Sequence, residues 1–525
     1  MGNRLMRQGP WTGRYPAAAA MVIFALVPYL ALSAALEPIT PIIAKDLHMS
    51  LQAMSLTSGM ANAGYAVGTV LAVLLAQHLP QRRMLVLYAA LLVLGSVLAA
   101  AAPDAGFFIT GHVLQGLCTS LLLIAAVPPL VVSFSLSKLR WTAMILNVCI
   151  FGAVALGPLV GGIQAQANGW RPLVWIIAGV AAAALLLSLL TFQDAPPADR
   201  SATRNPLPVA LAAAGCVSLF YGASELLTHP FVDVMTLLPL ACGLALIVIL
   251  LVYQYRAKHP LLCIRPLGST LPVSGIVVAM SAAASSISAV ALAAVLLTDK
   301  FSPVHLGLLQ FPEFIAALIT AVVLGVVFRT RGLHFLVLGG MLSLIAGILV
   351  LLSHLPPTSL RMAIGSGLVG LGVGGSVAPA LFIAGFSLRN NALQRVFAII
   401  ELLRGVAAFA VGPVLVHVAT TVGGSPAAGT RTALWICFGI ASAGTLFAVS
   451  LYVLGGVRPP APALETWQSG EAPAWYSPPL LARVRDSSKA TVLTEPLACD
   501  AGGRYGGPHN GDAAQPAADR AGAAT

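Results

Sequence analysis

The 525-residue chain is 58% hydrophobic and only 9% charged, with a mean hydropathy of +0.91, whereas ordinary globular domains carry about a quarter charged residues. A soluble fold could not cover itself with so little charge, so the composition calls for long apolar helices in lipid. The formal net charge of +11 could suggest a nucleic-acid partner, but its distribution along the chain reads as membrane orientation instead.

Taken in chain order, residues 1–16 form a cytoplasmic N-terminus, and apolar segments follow at 17–35, 55–76, 84–102, 107–134, 143–163 and 173–192. The first of these is too long for the apolar region of a signal peptide and lacks a cleavage site. Residues 193–270 hold two polar linkers and two further spans at 207–227 and 234–253. Six more spans occupy 271–297, 305–328, 333–353, 360–384, 395–420 and 431–455. The expected fold class is an all-α polytopic membrane protein with fourteen spans in a six, two, six arrangement: an N-terminal bundle over 17–192 and a C-terminal bundle over 271–455. From 456 to 525 the chain turns to Pro, Gly, Ala and scattered charge, a composition that predicts a disordered tail. Trp467, Trp475 and Tyr476 within it read either as passive or as a short interaction motif.

Lys and Arg set the orientation. With the N-terminus inside, alternate connections carry Arg4, Arg7 and Arg14; Arg82 and Arg83; Lys138 and Arg140; Arg200 and Arg204; Arg256, Lys258 and Arg265; Arg329 and Arg331; Arg389 and Arg395. The opposite connections carry only Lys45, Arg171, Lys300, Arg361 and Arg431. An even number of spans preserves this alternation, which places both termini in the cytoplasm of a cell-membrane protein. The seven cysteines show no C-x-x-C spacing, so neither a disulfide framework nor a metal site is implied. Gly365 to Gly375 contain a loose G-x-G-x-x-G, but inside an apolar span with no preceding strand, so it predicts helix packing and not a dinucleotide site. Neither a nucleotide-binding loop nor any other enzyme signature is present, and no cofactor is expected.

Gly152, Gly157, Pro158, Gly161 and Gly162 stand in the fifth span. Small residues allow close helix approach in lipid, and the proline removes a backbone hydrogen bond. The string resembles the antiporter motif of the major facilitator superfamily. Gly412-Pro413 echoes it in the thirteenth span, the fifth of the second half, as parallel repeats predict. The segments Tyr255–Leu262 and Ser302–Pro312 are similar to connections in the fourteen-helix drug:proton antiporter branch. This resemblance implies two six-helix bundles with two accessory helices and a midplane cavity. It also implies export of lipophilic or cationic small molecules in exchange for protons, by a monomer. A dedicated exporter of one host metabolite and a non-transporting membrane sensor or scaffold are the alternatives.

Departures from the family pattern are specific. Its charged gate loop is here Gln77 to Arg83, where Arg82 and Arg83 keep the basic pair and Gln77 replaces the acid. Where the family has Arg in the fourth span there is His112, followed by Gln115-Gly116. His112 is either a proton exchanger or a neutral hydrogen-bonding substitute. The first-span Asp is replaced by Leu32, and the nearby acid, Glu37, reads equally as a solvated helix end or as functional.

Charge inside a span is costly and points to mechanism. Glu313 lies ~13 Å inside the tenth span at 1.5 Å per residue, has no local partner, and is the preferred proton carrier. Glu401 and Arg404 share a helix face at i, i+3, either as a self-neutralised pair or as a site where substrate or proton competes for the acid. Glu225, near the end of the seventh span, reads as solvated.

Overall fold

The computed structural model describes residues 9–192, 205–457, 461–480 and 482. It contains fourteen helices long and apolar enough to cross a membrane. In the first half these are α1 (Tyr15–Asp46), α2 (Leu51–His78), α3 (Gln81–Ala100), α4 (Ala105–Val132), α5 (Leu136–Gln166) and α6 (Arg171–Thr191). The accessory pair is α7 (Leu207–Glu225) and α8 (Val234–Arg256). The second half holds α9 (Thr270–Val295), α10 (Pro303–Val327), α11 (Gly332–Leu352), α12 (Ser359–Phe386), α13 (Leu393–Thr421) and α14 (Pro426–Gly455). A fifteenth, short helix, α15 (Leu464–Gln468), follows. The end of the bundles where α1 begins and α14 finishes is called the near face below, and the opposite end the far face.

The two halves pack as separate bundles that meet along two seams, α5 against α10 and α2 against α13. The accessory helices pair with each other. α7 lies on α2 and touches α13, while α8 exposes most of its length.

Buried apolar side chains reveal how the bundles are tilted. On the near half one continuous cluster runs from Leu121, Ile124 and Val131 of α4 to Ile383 and Phe386 of α12 and Val396 of α13. On the far half the clusters are separate. One, around Leu32, Ile39, Met54 and Trp170, belongs to the first bundle, and another, around Leu292, Met341, Met362 and Leu415, belongs to the second. On the far half the bundles therefore keep separate apolar cores and touch along α5–α10, at Gly162 and Pro303, while on the near half they share one core. Gln394 Nε2 of α13 adds a direct bridge there, donating to the Ile124 carbonyl of α4 at 3.2 Å.

Three expectations need correction. α1 does not end near residue 35 but continues through Pro38 and Pro41 to Asp46, so Glu37 lies inside the span. Prolines are tolerated in membrane helices where neighbouring helices surround the freed backbone groups. Glu225 is not solvated: it is 3% exposed and accepts from Gln52 Nε2 of α2 at 3.0 Å, with His229 Nδ1 at 3.1 Å. The tail beyond Gly456 is not structureless throughout, because residues 464–480 pack against the near face. Residues 193–204 and 483–525, including Arg200, Arg204 and Cys499, lie outside the described residues.

Candidate functional site

The glycines of α5 explain how α1, α5 and α10 come together. A Cβ on Gly157 would lie 2.9 Å from the Ala31 carbonyl, and one on Gly161 would lie 2.7 Å from Pro38 Cγ, both in α1. On the other side of α5, a Cβ on Gly162 would stand 2.8 Å from the Pro303 carbonyl carbon of α10. Only glycine permits backbones this close. A π-helical turn, Val148–Gly152, precedes the Gly157-Pro158 step, and its last residue faces Phe314 of α10 at 3.5 Å. Just before it, Asn147 links α5 to the second bundle. In the amide orientation that satisfies its neighbours, it donates to the Gly374 carbonyl of α12 at 3.2 Å and accepts from Thr320 Oγ1 of α10 at 3.3 Å.

α5 thus holds one helix bearing Glu37 and another bearing Glu313. Both carboxylates are closely surrounded by protein yet keep accessible surface. No hydrogen bond or ion pair among the described residues engages Glu313. Its backbone packs on α12, where a Cβ on Gly370 would meet Glu313 Cα at 2.8 Å. Judged by where their chain neighbours meet α5, Phe314 at Gly152 and Pro38 at Gly161, the two acids are offset by ~13 Å along the helix. Glu313 sits near the middle of α10, and therefore near the midplane.

Glu401 and Arg404 stand at the other seam. Arg404 Nη2 donates to Glu401 Oε2 at 2.6 Å and Nε to the same oxygen at 3.1 Å. The carboxylate is wholly buried, and its Oε1 has no hydrogen-bond partner among the described residues. Tyr65 of α2 is beside the pair, stacked on Tyr29 of α1 at 6.1 Å, and Tyr29 donates to Asn62 Oδ1 at 3.0 Å. Tyr29, Asn62 and Tyr65 were not singled out from the sequence. Their only signal there is that they are hydrogen-bonding groups in apolar spans.

His112 belongs to a closed network of the first bundle. Gln115 Nε2 donates to Ser96 Oγ at 3.0 Å, which leaves its Oε1 to accept from His112 Nδ1 at 3.1 Å. The imidazole ring lies between Phe108 and Tyr29 at 6.0 and 5.7 Å. This arrangement fits the hydrogen-bonding substitute better than an exchanger open to the cleft. In the gate loop Gln77 is buried, and Arg82 Nη2 reaches the Leu189 carbonyl of α6 at 3.0 Å, while Arg83 stands next to it in the first turn of α3. The structure therefore brings together Glu37, Glu313 and the α5 glycines on one seam, and Glu401, Arg404 and Tyr65 on the other. His112 and Gln115, and Gln77, Arg82 and Arg83, lie away from both. Leu32 is buried in the far-half cluster of the first bundle.

Comparison with known proteins bears on this arrangement. The sequence profile described as Major Facilitator Superfamily matches residues 21–303. The chain is similar to "Uncharacterized MFS-type transporter YubD" of Bacillus subtilis, 25% identical over 351 residues, 65% of this chain and 66% of that protein. It is also similar to "Tetracenomycin C resistance and export protein" of Streptomyces glaucescens, 26% identical over 258 residues, 49% of this chain and 47% of that protein. The chain thus spans about two thirds of the first relative and about half of the second. Among solved structures, that of the human organic anion transporter MFSD10 (TETRAN) superimposes with a TM-score of 0.56 at 13% identity, covering 83% of this chain and 100% of that one. At that identity the likeness shows a shared fold.

Proposed function

The chain belongs to the Major Facilitator Superfamily, and from that premise we propose that this multi-pass membrane transporter exports small lipophilic or cationic compounds in exchange for protons. The observation that carries the proposal is Glu313, an acid near the midplane of α10 that keeps accessible surface and is unengaged among the described residues. A carboxylate in such a place is retained when it does something. Proton uptake from one side and release to the other requires an acid that neither bundle locks in an ion pair, a condition Glu313 meets and Glu401 does not.

In this reading the near face is cytoplasmic, which the excess of Lys and Arg on that side supports. Both termini are then inside the cell. Rocking of the bundles about the α5–α10 and α2–α13 seams exposes the cleft to one side and then the other. The apolar spans that wall the cleft favour lipophilic cargo, and Glu37 and Glu313 attract a positive charge.

The test is dye accumulation in an efflux-deficient bacterial host. Wild type is expected to lower accumulation, and both Glu313→Gln and a protonophore are expected to abolish that effect. Undiminished efflux by Glu313→Gln refutes Glu313 as the coupling acid. A second reading, a dedicated exporter of one compound, is favoured by the relative named for resistance to and export of tetracenomycin C. It predicts that a broad dye panel is not moved while a single metabolite is.

A further inference from the structure

After α14 the chain returns along the near face as α15, followed by an extended stretch to Leu480. Two tryptophans anchor it: Trp467 and Trp475 are 0% and 1% exposed. Trp467 Nε1 donates to the Leu388 carbonyl at 2.8 Å, and its ring packs on Phe386 with centroids 4.4 Å apart. The Ala474 N–H donates to the Phe386 carbonyl at 2.8 Å, and the Trp475 ring meets His334 at 5.4 Å. Further along, the Thr270 N–H donates to the Pro478 carbonyl at 3.0 Å and the Leu271 N–H to Ser477 Oγ at 2.9 Å. All of these partners belong to the second bundle.

Gln468, the residue after Trp467, reaches the other way. Its Nε2 donates to the Phe134 carbonyl at 2.6 Å and to the Val132 carbonyl at 3.4 Å, both at the α4–α5 turn of the first bundle. Its own carbonyl accepts from Asn390 Nδ2 at 3.1 Å, at the start of α13. Neighbouring residues of one segment thus hold the α12–α13 turn and the α4–α5 turn, the two corners over which the near-face core is closed.

We propose that residues 464–480 are a strap that holds the near face shut, and that Gln468 leaves the α4–α5 turn each time that face opens. The inference rests on the rocking of two bundles and not on the identity of the cargo or on proton coupling. The tryptophan anchors travel with the second bundle, so of the strap's hydrogen bonds those from Gln468 Nε2 to the α4–α5 turn are the ones broken by opening. The strap therefore shifts the balance between closed and open without barring the change.

The test reads opening directly, in the purified full-length protein, without a transport assay. Val127 of α4 is buried within the near-face core. In a background with Cys242 and Cys499 changed to Ser, a Val127→Cys variant reports opening by its rate of alkylation with a water-soluble maleimide, after subtracting the same background without it. Losing the contacts of a neutral amide is expected to raise that rate roughly three- to tenfold in Gln468→Ala. Gln468→Glu, which sets a carboxylate against two carbonyl oxygens, is expected to raise it further. Alkylation at the wild-type rate in either variant, with melting temperature unchanged, overturns the proposal. A failure of dye efflux leaves this readout unaffected.

Discussion

Removing Arg404 while keeping Glu401 tests the energetics of the α2–α13 seam. In Arg404→Met a chain of similar length remains, but the Glu401 carboxylate loses both hydrogen bonds to Oε2 while Oε1 already lacks one. Breaking a buried ion pair from one side costs about 3–5 kcal/mol, since the remaining charge is neither solvated nor paired. At on the order of 2 °C per kcal/mol for a large chain, the melting temperature of purified protein in detergent should fall by about 6–10 °C. The double variant Glu401→Gln/Arg404→Met leaves no buried charge and should recover most of that loss, because replacing a whole buried pair is often close to neutral. Fluorescence-monitored melting of wild type, Arg404→Met, Glu401→Gln and the double variant closes the cycle. If Arg404→Met melts within a degree of wild type, or if the double variant is no better than the single one, the pair is not the coupled, desolvated unit that the geometry describes.

Gly162→Val should strain the α5–α10 seam, because its side chain would enter the space of the Pro303 carbonyl. Overpacking of this kind costs about 1–3 kcal/mol, read as a lower melting temperature, whereas Gly179→Val, with open space around its Cβ position, should melt like wild type. Leu32→Asp restores the acid of the family pattern at a site buried among apolar neighbours. It should cost about 2.5–3.5 kcal/mol and lower the yield of monodisperse protein; wild-type yield and melting would show that the site tolerates charge after all.

What could be read from the sequence followed from lipid as solvent. Each span had to supply its own backbone hydrogen bonds, so length and apolarity sufficed to place fourteen helices. The Gly157-Pro158 string was legible because close approach admits only small residues, and the i, i+3 spacing of Glu401 and Arg404 placed them on one helix face without deciding between a pair and a competing site. The end of α1 was misread because Glu37, Pro38 and Pro41 look like punctuation. In the fold, α5 packs on Pro38 and the helix runs on through Glu37 to Asp46. Glu225 was misread for a related reason, as its partners Gln52 and His229 come from another helix and from the following turn. The strap was missed because Trp467 and Trp475 lie in a Pro- and Ala-rich stretch with no apolar period. Their burial depends on a surface made by α12, α13 and the α4–α5 turn, and no local pattern encodes it.

The two seams also differ in what bundle motion can change. Along α5–α10 the close contacts run from Met144 and Gly325 on the near half to Gly162 and Pro303 at the far face, so this seam can act as an axis that stays packed as the bundles rock. Glu313 sits on that axis, where a small rotation alters which side of the cleft it meets without moving it far. Glu401 and Arg404 lie on one helix, so their pair travels intact with α13. What rocking changes there is the relation of the pair to Tyr65 of α2, and through it to Tyr29 and the His112 network. A neutral unit that moves as one piece is suited to holding the seam in register. An unpaired acid on the axis is suited to exchanging a proton. The division of labour proposed for Glu401 and Glu313 rests on where each stands relative to the proposed rocking, with the glycines of α5 placing the axis.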